Sequence, residues 1–317
     1  MSIKVSVIVA TYNQEKYIRH TLESIVAQKT NFAFEVLVGD DCSTDGTAEI
    51  VNEFAEKYPD IIIPYIREKN LGIYGNIPEL LTHAKGEFIA IIEGDDYWID
   101  DYKLQKQADF LDKNKDYNAC YGKCIIVDED EVRHPEIEAY NIFKSDLGDY
   151  TIEEFEKYIL PGQTATSMFR VLDYTEIMNK FQKANVDVSR MADIDMVLCM
   201  LGCGKIYNFG EEFAAYRRMM NIESGSWSSQ NDYYSLKNLM QYLDGLKRME
   251  KMAAALELKL NFDSRRDYEL DKLYKNLNLF SREEIKAIKE KLKADYNAPS
   301  GFYISNFKLW IKSVMMD

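Results

Sequence analysis

The chain has 317 residues, 46% of them hydrophobic and 29% charged, which excludes a disordered chain and suffices for a globular core. Its 39 Lys and Arg against 53 Asp and Glu leave a formal charge of −14. An acidic chain repels a phosphate backbone, so we expect no nucleic-acid partner. Lys4 leads straight into a short apolar stretch, and no segment reaches the ~18 apolar residues of a membrane span. We therefore expect a cytoplasmic protein without a signal peptide.

Short apolar runs alternate with segments of helical periodicity in the first part of the chain. The predicted strands are largely continuous apolar runs rich in β-branched residues, as is typical of strands buried on both faces of a parallel sheet. They span residues 5–10, 35–39, 61–66, 88–92 and 119–127. Pro64 indicates that the third strand is irregular or lies at an edge.

Apolar residues at helical spacing fill the intervals between these strands. They predict helices around residues 18–26, 50–58, 77–84 and 104–111, with Pro78 in the first turn of the third. Strands that alternate with helices indicate βαβ units and right-handed crossovers. The predicted fold class is α/β, with a Rossmann-like, mostly parallel sheet flanked by helices and a C-terminal helical appendage.

The last quarter of the chain consists of long charged stretches at helical spacing, without strand signals. We therefore predict a domain over 1–230 and a helical C-terminal region over 231–317. Within that region Tyr303, Phe307 and Trp310 share one helical face. We expect this face to pack on the protein itself or in a homodimer, and peripheral contact with the inner face of the membrane is the alternative.

Three polar clusters directly follow predicted strands, at residues 11–13, 40–41 and 93–96. Ligands bind beyond the carboxyl ends of the strands in such sheets, so we expect the clusters to form one site. Glu93-Gly94-Asp95-Asp96 crowds three acids, which is costly unless a cation or hydrogen-bond donors compensate. Mg²⁺ typically takes one or two protein carboxylates together with substrate phosphates. A solvated acidic turn is the alternative, but the apolar strand before it and Tyr97-Trp98 after it favour an enclosed site.

The other two clusters carry side chains that suit a nucleotide. A carboxylate such as Asp41 accepts the N–H of a pyrimidine or a ribose hydroxyl, and the ring of Tyr12 stacks on a base. A helix cap is the alternative role for an Asp that follows a strand. The glycine-rich motifs of the dinucleotide-binding fold and of the P-loop do not occur in the sequence. A metal or basic side chains must therefore bind the phosphates.

Several segments resemble, in order and spacing, the signatures of bacterial family 2 glycosyltransferases of GT-A fold. They are VSVIVATYNQEKYIRHTLESIVAQ, EVLVGDDCSTDGT, NLG and KGEFIAIIEGDDYW, and MADIDMVLCMLGCGKIYNFGEEFAAYRR resembles the acceptor-side segment. The resemblance covers about the first 230 residues. It implies a GT-A catalytic domain with a nucleotide-sugar half over about 1–115 and an acceptor half over about 116–230.

The resemblance also implies roles for the strand-end residues. Thr11, Tyr12, Asp40 and Asp41 would line the nucleotide site, with Tyr12 and Asp41 holding a nucleobase, which we expect to be uracil. Glu93-Gly94-Asp95 aligns with the D-x-D motif of the family, although Glu93 is one methylene longer than the usual Asp.

In that alignment Asp95 would ligate Mn²⁺ or Mg²⁺ at the diphosphate, and Glu93 would lie near the ribose. Asp96 and Trp98 would face the donor sugar or the acceptor.

Residues of the second half would act on the acceptor. Gln163 and Thr164 resemble the wall of the acceptor cleft, and Asp193 aligns with the catalytic base of the family. Asp195 is the rival base. Residues two positions apart on a helix point to different faces, so at most one of Asp193 and Asp195 enters the cleft. A helix N-cap is the structural alternative for Asp193.

Arg217 and Arg218 form a basic pair in an acidic chain. Arginine forks match phosphate geometry, so we expect them at the diphosphate. A surface ion pair with Glu211 or Glu212 is the alternative.

The resemblance implies inverting, metal-dependent transfer from a nucleotide sugar, expected to be UDP-linked, to a hydroxyl of a glycan or lipid-linked oligosaccharide. The expected pathway is synthesis of capsule, exopolysaccharide or O-antigen. A non-catalytic scaffold in a polysaccharide-assembly complex is one alternative. A sugar-nucleotide pyrophosphorylase is another, but it would need a glycine-rich loop after the first strand, where ATYNQEKY has no glycine.

Overall fold

The computed structural model of the chain describes residues 2–138, 142–157, 159–171, 174–189, 191–219, 236–266 and 280–295. The first half is a run of βαβ units. Its elements are β1 (Ile3–Thr11), α1 (Ile18–Val26), β2 (Ala33–Asp40), α2 (Thr47–Lys57), β3 (Ile62–Ile66), α3 (Ile73–Leu81) and β4 (Phe88–Glu93). These four strands are parallel and lie in the order β3-β2-β1-β4.

The second half extends the same sheet beyond β4. Its elements are β5 (Tyr97–Trp98), α4 (Lys103–Lys113), β6 (Tyr117–Val127), α5 (Pro135–Glu138), β7 (Gly148–Tyr150), α6 (Ile152–Glu156), a 3₁₀ turn (Thr164–Thr166), β8 (Met168–Arg170), α7 (Tyr174–Lys183), α8 (Asp193–Cys203) and β9 (Lys205–Arg217). The order continues β4-β8-β6-β9-β5, with β7 also paired to β9. β8 joins the two halves by antiparallel pairing, and β6 runs parallel to β9. The α/β class and the largely parallel sheet are therefore confirmed.

Two helices of the described residues follow, α9 (Leu236–Ala255) and α10 (Arg282–Asp295). In that part of the chain, no helix is long and apolar enough to cross a bilayer. The aromatic face around Tyr303, Phe307 and Trp310 lies outside the described residues. The division of the chain at residue 230 stays a prediction.

Two details of the sequence reading are wrong for physical reasons. α3 begins at Ile73, so Pro78 lies inside the helix and not in its first turn. β9 was not predicted as a strand, because its register against β6 shifts around Lys123 and Gly210 adopts a φ of +67° within it. Such irregularities break the period of two from which a strand is recognised.

The core lies on both faces of the sheet. Along β1, Val5, Val7 and Val9 face one hydrophobic cluster, whereas Ile8 faces the other. This alternation explains why β1 is a continuous apolar run. α1, α2 and α4 cover the first face, while α3, α7, α8 and α9 cover the second.

The C-terminal helix α9 belongs to this core. Leu246, Met249 and Met252 of α9 are buried in the same cluster as Ile8 of the central strand. Because these side chains complete a core shared with the sheet, α9 stabilises the domain that carries the strand-end clusters.

Met252→Ala tests that integration. We expect it to lower the free energy of unfolding of the whole domain by about 2–5 kcal/mol, because truncating a buried Met leaves a cavity. Urea denaturation followed by far-UV circular dichroism measures the change. Lys251→Ala, at the exposed neighbouring position of the same helix, is the control and should change stability by less than about 0.5 kcal/mol. Equal stability of the two variants would contradict the placement of α9 in the core.

Candidate active site

The three polar clusters meet at one edge of the sheet. Thr11 stands opposite Asp40 in the β1–β2 register, and Ala10 stands opposite Glu93 in the β1–β4 register. The backbone N–H of Asp41 donates to the Thr11 carbonyl at 2.9 Å. The convergence predicted from the parallel sheet is therefore present in the structure.

The β1 end combines one buried and one exposed polar side chain. Thr11 is buried and donates its hydroxyl to Oε1 of Gln14 at 2.8 Å. Tyr12 is 48% exposed, so one side of its phenol ring is open to a stacking partner.

The two β2-end carboxylates already accept hydrogen bonds from loops. Asp40 is buried and accepts from the backbone N–H and the hydroxyl of Ser43. Asp41 accepts the N–H groups of Leu71 and Gly72 at 2.7 and 2.8 Å. Asp41 thereby holds the loop that leads into α3, and its contact with a nucleobase stays a prediction.

The acidic loop after β4 concentrates negative charge. Burial raises the pKa of Glu93 to about 8, and the charges of Asp193 and Asp95 add to the rise. Its Oε2 atom is buried and has no hydrogen-bond partner among the described residues. Burial also raises the pKa of Asp95, which the charge of Arg217 and a hydrogen bond from Gln14 oppose.

Asp96 is the most enclosed acid of the loop. Burial, followed by the charges of Asp95 and Glu93, holds its pKa well above the usual range. One carboxylate oxygen accepts the N–H of Arg217 at 2.8 Å and the other accepts Nε2 of Gln163 at 3.1 Å. The two oxygens therefore join the loop to β9 and to the residue before the 3₁₀ turn. A contact of Asp96 with a sugar stays a prediction.

Side chains at the end of β1 pack closely against Gly94 of the loop. A Cβ at position 94 would lie 2.4 Å from Oε1 of Gln14 and 2.6 Å from Oγ1 of Thr11, so only glycine fits. The hydroxyl of Thr21 on α1 donates to the carbonyls of Gly94 and Asp96 at 2.8 and 2.7 Å. The loop is thus held from both the β1 end and helix α1.

Arg217 lies at the end of β9, and its guanidinium is buried among protein partners. Nε donates to the Asp95 carbonyl at 2.9 Å, and NH2 pairs with Glu131 at 2.9 Å. The guanidinium also lies 4.4 Å from the ring centroid of Tyr17. Arg218 is exposed.

The glutamates considered as alternative partners of Arg217 pair elsewhere, Glu211 with Lys106 and Glu212 with Arg133. A diphosphate contact of Arg217 or Arg218 stays a prediction.

The two acids at the start of α8 have different surroundings. Asp193 is exposed, yet enough protein surrounds its carboxylate to raise its pKa, and a hydrogen bond from Thr164 opposes the rise. Such a combination is typical of a cleft. Asp195 is completely buried, pairs with Arg248 of α9 at 2.6 Å and accepts the N–H of Ala192 at 2.8 Å. Asp195 therefore serves as the capping and ion-pairing acid, while Asp193 is open to a ligand.

Gln163 and Trp98, the remaining residues predicted for the site, are both buried. Gln163 is buried and contacts Asp96, and a hydrogen bond from it lowers the pKa of Glu93. Trp98 is buried, and its Nε1 donates to the Ala165 carbonyl at 2.8 Å. Trp98 thus lies in the core and not on the open surface of the cleft, and its contact with a sugar stays a prediction.

Two residues of this site were missed from sequence. Gln14 contacts both Thr11 and Asp95, and Glu131 joins Arg217 to His20 through its carboxylate. Gln14 lies three residues beyond a strand end, a position that could have singled it out. Glu131 belongs to a turn with no motif, and nothing in the local sequence indicates its partners.

The carboxylate oxygens of the site suit a divalent cation that a bound substrate helps to coordinate. Within the described ranges, no group of three or more His, Cys, Asp or Glu is arranged to hold a metal by itself. The orphaned Oε2 of Glu93 and the half-buried Asp95 offer one or two hard oxygen ligands. That number is what Mg²⁺ takes when substrate phosphates supply the rest of its shell.

Comparison with known proteins is consistent with this geometry. The sequence profile of Glycosyl transferase family 2 matches residues 6–173, more than half of the chain. The putative glycosyltransferase EpsE of Bacillus subtilis is 35% identical over 248 residues, which cover 78% of this chain and 83% of EpsE. The chain therefore belongs to glycosyl transferase family 2, a class of glycosyl-transferring enzymes.

Other similarities cover less or are more distant. An uncharacterised protein of Mycobacterium tuberculosis is 40% identical over 131 residues, which span 41% of this chain and 38% of that relative. The chain thus matches about two fifths of the length of this mycobacterial protein. The crystal structure of S. aureus TarS 1-349 in complex with UDP-GlcNAc aligns with a TM-score of 0.55 and 22% identity, covering 92% of this chain and 77% of that one. It supports the fold assignment.

Gly94→Ala tests the geometry of the acidic loop. We expect the added methyl group to displace Gln14 and Thr11 and with them the Asp95 carboxylate, which weakens nucleotide binding by about tenfold or more. Calorimetric titration with UDP and Mn²⁺ measures the loss. Gly245→Ala on α9, where a Cβ meets nothing within 4 Å, is the control and should bind as the parent does. Unchanged binding by Gly94→Ala would contradict the close approach as a requirement of the site.

Proposed function

We propose that the protein transfers a sugar from a UDP-linked donor to a hydroxyl of a glycan or lipid-linked oligosaccharide, with inversion and with the help of Mn²⁺ or Mg²⁺. The observation that carries the proposal is the open carboxylate of Asp193 beside the acidic loop. Its charge is near enough to raise the pKa of Glu93, although 100 positions separate the two residues in the chain. This proximity supports a cleft in which Asp193 is the base and the acidic loop holds the leaving group.

The donor half of the proposal rests on the β1, β2 and β4 ends. Tyr12 presents an exposed ring at the end of β1, and Asp41 is hydrogen-bonded to the preceding residue, Thr11. This arrangement supports stacking of the ring on a nucleobase. Asp95 and Glu93 would hold the metal, which supplies positive charge to the diphosphate leaving group when bound. TarS, a structural neighbour, was solved with UDP-GlcNAc, so UDP-sugars are the first donors to test.

The acceptor half rests on Asp193 and Thr164. Single displacement with inversion needs a base that removes the proton of the attacking hydroxyl. A carboxylate whose pKa is raised by burial is a better base than an ordinary surface Asp. The hydrogen bond from Thr164 orients that carboxylate. Synthesis of capsule, exopolysaccharide or O-antigen is the pathway we propose for such an acceptor.

Asp95→Asn should abolish metal-dependent donor binding and leave the fold intact, since it removes a charge but little volume. Calorimetric titration with UDP, with and without Mn²⁺, measures the effect. Asp109→Asn, which changes an exposed acid of α4, is the matched control and should bind as the parent does. If Asp95→Asn retains the Mn²⁺-dependent affinity of the parent, Asp95 is not a metal ligand.

Asp193→Asn should keep the affinity for UDP and Mn²⁺ and lose about 10²–10⁴ in turnover, because a general base contributes that much and need not contact the nucleotide. Steady-state transfer and titration of the same preparation separate the two effects.

Asp195→Asn is the informative control. We expect it to remain active below its melting temperature but to lose about 1–3 kcal/mol of stability, since the partly buried Arg248 then loses its charged partner. An active Asp193→Asn beside a folded but inactive Asp195→Asn would transfer the role of base to Asp195.

Incubation of the purified protein with a panel of UDP-sugars and Mn²⁺ tests the whole proposal. A donor at 100 times its dissociation constant stabilises the protein by about 2.7 kcal/mol, which a melting curve resolves. Hydrolysis or transfer of a stabilising donor identifies an enzyme. Stabilisation without turnover over a range of glycan acceptors would favour the scaffold alternative.

A further inference from the structure

Three consecutive backbone carbonyls behind the active site accept hydrogen bonds from three buried side chains. The Ala165 carbonyl accepts from Nε1 of Trp98 at 2.8 Å, the Thr166 carbonyl from Nε2 of Gln107 at 2.9 Å, and the Ser167 carbonyl from Nζ of Lys103 at 3.1 Å. Lys103 and Gln107 have no exposed surface, and Trp98 is 5% exposed. We call these three side chains the carbonyl clamp.

The members of the clamp also hold one another. Nζ of Lys103 donates to Oε1 of Gln107 at 2.8 Å and lies 4.4 Å from the ring centroid of Trp98. Nε2 of Gln107 contacts the carbonyl of Cys120 on β6 at 3.2 Å as well. Lys103 and Gln107 are four positions apart on α4, so one helix face supplies two of the three donors.

Burial of the Lys103 amine is costly. The partners of the amine are neutral, the Gln107 amide oxygen and the Ser167 carbonyl, and burial lowers its pKa to about 7. A Met side chain would fill similar space without burying an amine. The hydrogen bonds that the amine makes to Gln107 and Ser167 are what a Met side chain could not replace.

The clamped segment carries two contacts to site carboxylates. The segment spans residues 163–167. Its first residue, Gln163, donates to Asp96 at 3.1 Å, while Oε1 of Gln163 accepts the N–H of Ala165. The Thr164 side chain lies near enough to the Asp193 carboxylate to lower its pKa. Movement of this short segment would therefore displace Asp193 and loosen the support of the acidic loop together.

We propose that Trp98, Lys103 and Gln107 are positioning residues, which fix the 163–167 segment so that Thr164 and Gln163 hold Asp193 and Asp96 in the geometry that sugar transfer needs. The catalytic consequence rests on the proposed function of the site. The restraint on the backbone does not depend on the proposed function, so it can be measured separately.

Hydrogen exchange of the intact protein measures the restraint. In the parent, the amides of Thr166 and Ser167 donate to the carbonyls of Gln163 and Thr164 at 2.9 and 3.0 Å. Lys103→Met should speed exchange in peptides covering these amides by about tenfold. Loss of one buried hydrogen bond to the segment shifts its opening equilibrium by about that factor. Leu111→Ala is the matched control.

Leu111 is also fully buried and lies on the same helix, so its truncation lowers global stability without removing a bond to the segment. We expect Leu111→Ala to leave this local exchange unchanged. Unchanged exchange in Lys103→Met, or equal acceleration in both variants, overturns the clamp.

Kinetics of the same variants test the positioning role. Lys103→Met should lose about tenfold or more in kcat, since small displacements of a catalytic group have effects of that size. Its affinity for UDP and Mn²⁺ should fall by a smaller factor than kcat, because Thr21 and Arg217 still hold the acidic loop. Leu111→Ala should keep the parent kcat below its melting temperature.

Gln107→Leu removes the bond to Thr166 and repeats the test if Lys103→Met does not fold. Faster exchange with an unchanged kcat overturns the positioning role and leaves only a structural restraint. If the parent transfers no sugar from any UDP-sugar, the proposed function fails and the positioning role fails with it. The exchange result then still decides whether the clamp restrains the segment.

Discussion

The constraint on which the site depends is the repulsion among carboxylates at the ends of buried parallel strands. A parallel sheet brings the carboxyl ends of β1, β2 and β4 to one edge, where the protein interior solvates charge poorly. Asp41 is compensated by two loop N–H groups, and Asp96 by one N–H from β9 and one side-chain amide. Glu93 keeps an oxygen without a partner. An unsatisfied oxygen therefore remains at the cleft, and the cation of the proposed function would supply its missing partner.

The second half of the sheet supplies much of that compensation. β9 runs beside β6 and ends at Arg217, whose buried guanidinium joins the acidic loop to the turn that carries Glu131. Removing a partner of this guanidinium is costly, because the Arg217 charge itself is buried while Glu131 is exposed. Arg217 thus acts in this structure first as the link between the two halves of the sheet.

The C-terminal helix α9 reaches the site indirectly. Arg248 of α9 neutralises the buried Asp195, which in turn caps the helix that begins with Asp193. The position of the candidate base therefore depends on a helix that carries no recognisable catalytic motif. On the opposite side, the 163–167 segment reaches the same base through Thr164. Two independent supports converge on one carboxylate, as is expected where geometry must be held closely.

The sequence by itself determined the features that depend on residues close together in the chain. These are the strands, the helices between them, and the placement of Tyr12, Asp41 and the acidic loop at strand ends. These follow from local propensity and from the geometry of parallel sheets. Only the tertiary structure separated the open Asp193 from the buried Asp195, since both are acidic positions on one helix turn and Arg248 lies 53 positions away. Only the tertiary structure showed the bulged strand β9 and the partners of Arg217. Contacts between distant segments depend on how elements pack, and no local period in the chain records that packing.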